Sequence, residues 1–163
     1  NIVGNPDLDP EPYDIQGLSG LTVLVYLQMD ARVKDLTPLQ NLTKLQTLYI
    51  YNGTTKPSDT SLEPVRNLTE LREFYFYAYG ENVSVDLSPL AGLTKLNILS
   101  ITAQSYYDSP NPSVTNLSAL ENLQDLRTLE LNFTNVSDIS PLRNLKNLQS
   151  VTIINNGENV FID

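Results

Sequence analysis

A seven-residue cassette recurs six times along the chain: DIQGLSG from Asp14, DLTPLQN from Asp35, SLEPVRN from Ser61, DLSPLAG from Asp86, NLSALEN from Asn116 and DISPLRN from Asp138. Each copy runs directly into an L-x-x-L tetrad, starting at Leu21, Leu42, Leu68, Leu93, Leu123 and Leu145. The tetrads are therefore spaced by 21, 26, 25, 30 and 22 residues. Self-similarity on this scale constrains the fold more than any other feature of the sequence. A unit of this length whose apolar residues all point one way cannot bury them alone, so copies must stack and share one elongated core.

After each tetrad the apolar residues change period from three to two, as a short strand requires. Leu48 and Ile50, Phe74 and Phe76, Leu99 and Ile101, and Leu129 and Leu131 fall in the inward slots. The residues between them must face outward: Tyr49 and Tyr51, Tyr75 and Tyr77, Ser100 and Thr102, Glu130 and Asn132. The cassettes read as short turns. Thr37, Ser88, Ser118 and Ser140 precede Pro38, Pro89, Ala119 and Pro141, which predicts a hydroxyl cap followed by a first helical residue. Only a few residues separate that position from the next tetrad, so the turns are expected to be short and of 3₁₀ type. Glu63 and Gly17 depart from the pattern, and the third and first cassettes are expected to be looser.

The shape L-x-x-L-x-x-L-x-L, clearest in LQDLRTLELNFTNVSDISPLRN (123–144), resembles the leucine-rich repeat. Its D-I-S-P-L ending resembles the short repeats of the internalin family of bacterial surface proteins, and the resemblance covers nearly the whole chain. It implies an α/β repeat solenoid: a right-handed superhelix with a parallel concave β-sheet and short 3₁₀ or helical turns on the convex side. Closely similar repeats also build intracellular phosphatase-regulating scaffolds. The turn asparagine of the family is poorly kept, its slot holding Gly53, Tyr79, Gln104, Thr134 and Asn156.

A single domain over 1–163 follows, with a partial repeat at 1–20, full repeats starting at 21, 42, 68, 93 and 123, and a truncated last repeat at 145–163. About seven strands are expected. NIVGN at the start fits the strand end and turn of an earlier copy, and GENVFID (157–163) nearly matches GENVSVD (80–86). The chain is thus expected to be a piece of a longer solenoid, with end-to-end self-association of uncapped termini as one consequence.

Several function classes fall away. A net charge of −9 offers nothing to nucleic acid or to an anionic membrane, and no apolar run is long enough for membrane insertion. Without cysteine or histidine the chain lacks thiolate chemistry, the usual general base and the usual metal ligand. The acidic segment PDLDPEPYD lacks the glycine and spacing of a calcium loop. No carboxylate pair is placed in a closed pocket. The chain is read as non-catalytic, with no catalytic residue, no metal and no cofactor. Three of the seven N-x-S/T sequons (Asn41, Asn67, Asn116) are generated by the repeat itself.

Recognition remains. Tyr49, Tyr51, Tyr75 and Tyr77 should form one patch on adjacent strands, extended by Tyr26. Tyrosine favours strands and stacks across them for stability alone. Four in register nevertheless point to a contact surface, because tyrosine concentrates at the energetic centres of interfaces. Glu73 and Asp30 add negative charge, favouring a partner with Lys or Arg around an apolar centre. The insertions at 52–60, 79–85 and 104–116 share one repeat offset and should line one rim, with Tyr106 and Tyr107 as rim contacts. The expected partner is a protein or glycan on the concave face, and the expected location is extracellular or the bacterial cell surface. Host-protein adhesion is the specific role that the family resemblance implies. An intracellular scaffold or phosphatase-regulatory subunit is the alternative. An immune-type receptor ectodomain fits less well, since its repeats run longer and end in cysteine-stapled caps.

Overall fold

The structure is a computed structural model. It describes residues 2–3, 12–30, 33, 35–53, 61–80, 83–105, 112–155 and 158–159. Strands β1 (Ile2–Val3), β2 (Tyr26–Asp30), β3 (Thr47–Gly53), β4 (Glu73–Gly80), β6 (Ile98–Ser105), β8 (Thr128–Asn132), β9 (Ser150–Asn155) and β10 (Glu158–Asn159) form one sheet in that order. All neighbours pair in parallel except β10, which turns back antiparallel on β9. Six 3₁₀ turns lie on the returning segments of the described residues: Gln16–Leu18, Thr37–Asn41, Glu63–Val65, Ser88–Gly92, Leu117–Leu120 and Ser140–Asn144. This is the leucine-rich-repeat solenoid, one strand and one tight turn per repeat.

The turns follow from leucine spacing. Leu39, Leu42 and Leu45 donate their N–H groups to the carbonyls of Leu36, Leu39 and Leu42, all at 2.9 Å. Leu90, Leu93 and Leu96 repeat the chain of bonds on Leu87, Leu90 and Leu93. A 3₁₀ turn has three residues per turn, so residues three apart eclipse each other. A leucine at every third position therefore keeps one apolar edge facing the core through both cassette and tetrad. Leu39, Leu42, Leu45, Leu68, Leu71, Leu93, Leu96, Leu123 and Leu126 are all fully buried.

Register is then locked where the chain turns into each strand. A single carbonyl accepts two successive N–H groups from the next repeat. Val25 O takes Gln46 and Thr47, Gln46 O takes Arg72 and Glu73, and Arg72 O takes Asn97 and Ile98. Asn97 O and Arg127 O do the same for the last two junctions. Slipping one residue would turn every core side chain outward. The core columns open at the two ends of the stack, where Leu21 and Val151 are exposed although their counterparts, such as Leu42 and Leu129, are sealed.

The expected hydroxyl caps do not form. None of the described turns has a side-chain cap hydrogen bond at its N-cap. Leu36 and Leu87 already lie in the helical region, so the turn effectively begins one residue earlier than the Ser/Thr-Pro pair suggests. The capping acceptor is displaced to the first cassette residue. Asp14, Asp35, Asp86 and Asp138 accept the N–H of Gln16, Thr37, Ser88 and Ser140 at 2.8–2.9 Å through Oδ1. These are aspartate turns, in which the side chain closes onto the backbone two residues on. In the third cassette Ser61 Oγ takes the same role towards Glu63 at 3.3 Å. In the fifth, Asn116 sits in the left-handed region at φ 60° and its Nδ2 bonds Asp86 Oδ1 at 2.7 Å, tying two repeats together. The first and third cassettes give turns of three residues where the most regular copies give five.

Two other expectations change. Parts of the insertions form a second, two-stranded parallel sheet, β5 (Ser84–Asp86) with β7 (Ser113–Thr115), whose Val85 and Val114 point into the core. Val85 and Val114 thus serve packing. Gly53, Tyr79 and Gln104, expected in turns, lie within β3, β4 and β6, and the last two strands run three residues past the point where β8 ends. At the last junction Asn155 supplies the turn amide, Nδ2 donating to Val136 O at 2.8 Å. Asn156 lies outside the described residues.

Candidate interaction surface

Three outward columns cross the sheet. The first is Tyr26, Thr47, Glu73, Ile98, Thr128 and Ser150. Next come Gln28, Tyr49, Tyr75, Ser100, Glu130 and Thr152. The third is Asp30, Tyr51, Tyr77, Thr102, Asn132 and Ile154. Alternation along β4 is complete, with Phe74 and Phe76 buried and Tyr75, Tyr77 and Tyr79 half-buried on the other side.

Strand spacing of ~4.8 Å lets flat rings in one column stack. Tyr49 and Tyr75 do so at 4.2 Å between centroids with planes 3° apart, and Tyr51 and Tyr77 at 4.4 Å and 10°. Tyr26 belongs to a different column from the one its role suggests. It reaches Tyr49 diagonally, centroids 6.0 Å apart, and its hydroxyl donates to Gln28 Oε1 at 2.8 Å. Gln104 accepts from the Tyr77 hydroxyl. Tyr26 and Tyr51 are the most open of these rings, at 48% and 39% exposure. A groove of about 300 Å³ runs between the rings, from Gln28 and Asp30 to Ser100 and Thr102.

Packing favours the neutral phenol at Tyr75 and Tyr77. Burial, reinforced by neighbouring Tyr51, pushes the Tyr77 hydroxyl up to about 12. Burial raises Tyr75 further, helped by Tyr49 and by the negative fields of Glu73 and Glu130. Ser100 Oγ donates to Glu130 Oε2 at 2.9 Å, and Asn132 Nδ2 to Thr102 Oγ1 at 3.4 Å. Asn132 Oδ1 is buried with no hydrogen-bond partner. Among the described residues every charged side chain in the three columns is a carboxylate: Asp30, Glu73 and Glu130.

The sheet brings Tyr26, Tyr49, Tyr51, Glu73, Tyr75 and Tyr77 onto one face, while Tyr106 and Tyr107 lie outside the described residues. Gln28, Tyr79 and Gln104 were missed as members of that face. Gln28 was available from register with Tyr49, whereas the others required knowing that the strands run on. A second groove lies at the start of the strands, around Arg72, Lys95, Asn97, Asp125 and Arg127. Its charges are of both signs and partly satisfied internally, with Lys95 bound to Glu70 at 2.7 Å and Asn97 Nδ2 to Asp125 O at 3.1 Å. Among the described residues no group of three metal-ligating side chains gathers, and no helix is long and apolar enough to cross a membrane.

No protein-family model matches the chain, and no curated protein matches its sequence. Solved structures do. Internalin C2 from Listeria monocytogenes is 32% identical over 85% of this chain and 55% of its own, with a TM-score of 0.66. This chain is an internalin-like leucine-rich-repeat protein. A second structure, the internalin inlF from the same organism, is 27% identical over 86% of this chain and 52% of its own, with a TM-score of 0.37. The internalin-like chain spans about half the length of both.

Proposed function

We propose that this chain is the protein-binding leucine-rich-repeat region of a bacterial cell-surface or secreted protein. It engages a host or matrix protein, without catalysis, through the tyrosine-bearing concave face. The observation that carries the reading is the pair of stacked tyrosine couples on β3 and β4, half-exposed around a groove whose charged neighbours are all acidic. Tyrosine provides large contact area at low cost in side-chain entropy, which is why it recurs at interface centres. Self-stacked rings with hydrogen-bonded hydroxyls, set among carboxylates, favour a protein that presents cations over a neutral glycan.

Site-specific photo-crosslinking tests this. A benzophenone amino acid replaces Tyr51 on the sheet or Glu121, which is exposed on the opposite, turn-bearing side. Exposure to host-cell surface extract should yield a defined crosslinked protein from position 51 and none from 121. A product from 121 alone moves the binding surface off the sheet and ends the proposal.

A further inference from the structure

The aromatic columns stop abruptly. In the middle column the layer after Tyr75 is Ser100, and in the next column the layer after Tyr77 is Thr102. Each ring pair is stacked on its inner faces, so the faces of Tyr75 and Tyr77 turned towards β6 look onto short side chains. One layer farther, Glu130 returns to full side-chain length. With strands ~4.8 Å apart, Ser100 leaves its layer beside the Tyr75 ring short, and the Glu130 carboxylate leans back into that layer, Oε2 accepting from Ser100 Oγ at 2.9 Å. The floor of the resulting notch is Ser100, whose hydroxyl bonds only one of the two carboxylate oxygens.

We infer that this notch is a subsite for an arginine side chain of the partner, its guanidinium plane adding one layer to the Tyr49–Tyr75 stack and its N–H edge meeting Glu130. The inference rests on the sheet face being the binding surface, and adds what that surface selects. A guanidinium is flat, weakly hydrated and always charged, so it stacks on an aromatic face and donates in its own plane at the same time. An ammonium is compact and strongly hydrated and does not extend a stack. A phenyl ring stacks but leaves Glu130 unanswered. The rise in the Tyr75 pKa, to which Glu73 and Glu130 contribute after burial and Tyr49, shows that both carboxylates project their field onto this ring.

The test is an NMR titration of the whole chain, labelled in its tyrosine rings, with the blocked peptide Gly-Ser-Arg-Ser-Gly at low salt. Versions carrying Lys or Phe in place of Arg run in parallel. The arginine peptide should shift Tyr75 and Tyr77 in preference to other rings. Glu130→Gln should weaken it about threefold to fivefold, the range for a partly screened ion pair. Ser100→Tyr, which fills the notch from within, should abolish the shift while leaving the spectrum dispersed. Equal response to the Lys or Phe peptide, indifference to Glu130→Gln, or no shift at Tyr75 and Tyr77 overturns the subsite. A Phe-peptide response at these rings removes the arginine preference yet keeps the sheet as the binding face. Failure of the face itself reads out separately, as crosslinking from position 121.

Discussion

Tyr49 and Tyr75 lie face to face across the boundary between β3 and β4, 4.2 Å apart and within 3° of parallel, while their chain neighbours Leu48 and Phe74 are fully buried beneath them. One step along the backbone separates a side chain that holds the fold from one that faces solvent. Stacking itself contributes about 0.5–1.5 kcal/mol beyond area burial, so the outer rings are not energetically idle.

The two neighbours should therefore respond differently to truncation. Phe74→Ala opens a cavity in a sealed core and should cost about 3–5 kcal/mol. Tyr75→Ala should cost about 1–2 kcal/mol, the stack plus partial burial. Denaturant unfolding of both variants measures this, and similar losses would mean that the outer rings are structural first.

Alkaline titration probes the same rings. The folded pKa of Tyr77 stands at about 12, above the ordinary value of 10.0, because the neutral phenol is favoured in its packed site. Such a group stabilises the fold fully below the unfolded pKa and loses its contribution as pH rises through the folded one. Thermal midpoints should thus fall between pH 10 and about 12, and Tyr77→Phe should flatten that decline. Absorbance at the phenolate band should show Tyr75 and Tyr77 ionising above the ordinary phenol range.

Acid acts through the cassette aspartates. The Asp86 carboxyl is held below the usual range by the Asn116 amide and then by the Ser88 N–H, and Asp138 by the Ser140 N–H. A depressed folded pKa stabilises above the unfolded value, and that stabilisation disappears as pH falls through the folded one. Midpoints should drop below about pH 4. Glu63 and Glu70, lowered by Arg66 and Lys95, add to the same limb but are screened by salt. The double variant Asp86→Asn with Asp138→Asn should start lower at neutral pH and decline less in acid. Curves parallel to wild type would remove the aspartate turns from the account.

Much of this architecture is legible in the sequence, because leucine at every third residue and apolar residues at every second impose their own periods. Stacking order, the inward slots and the tyrosine register all follow from that change of period. Capping did not follow, since Asp35 and Thr37 are both competent acceptors and only the backbone angles of Leu36 decide which is used. The β5–β7 sheet was hidden because a short S-V-D or S-V-T segment carries no period of its own. The shared column of Tyr75, Ser100 and Glu130 follows from the repeat, but the bond from Ser100 Oγ to Glu130 Oε2 that shapes the notch depends on side-chain rotamers the sequence does not encode by period.

The central claim is that the outward phenols are there to be touched. Its most direct measurement is the dissociation constant for the protein crosslinked at position 51, taken with wild type and with Tyr49→Ala combined with Tyr75→Ala. The account predicts a loss of about a hundredfold or more, the scale of two interface hot spots, with the cooperative unfolding transition retained. Undiminished affinity in a folded double variant would contradict it.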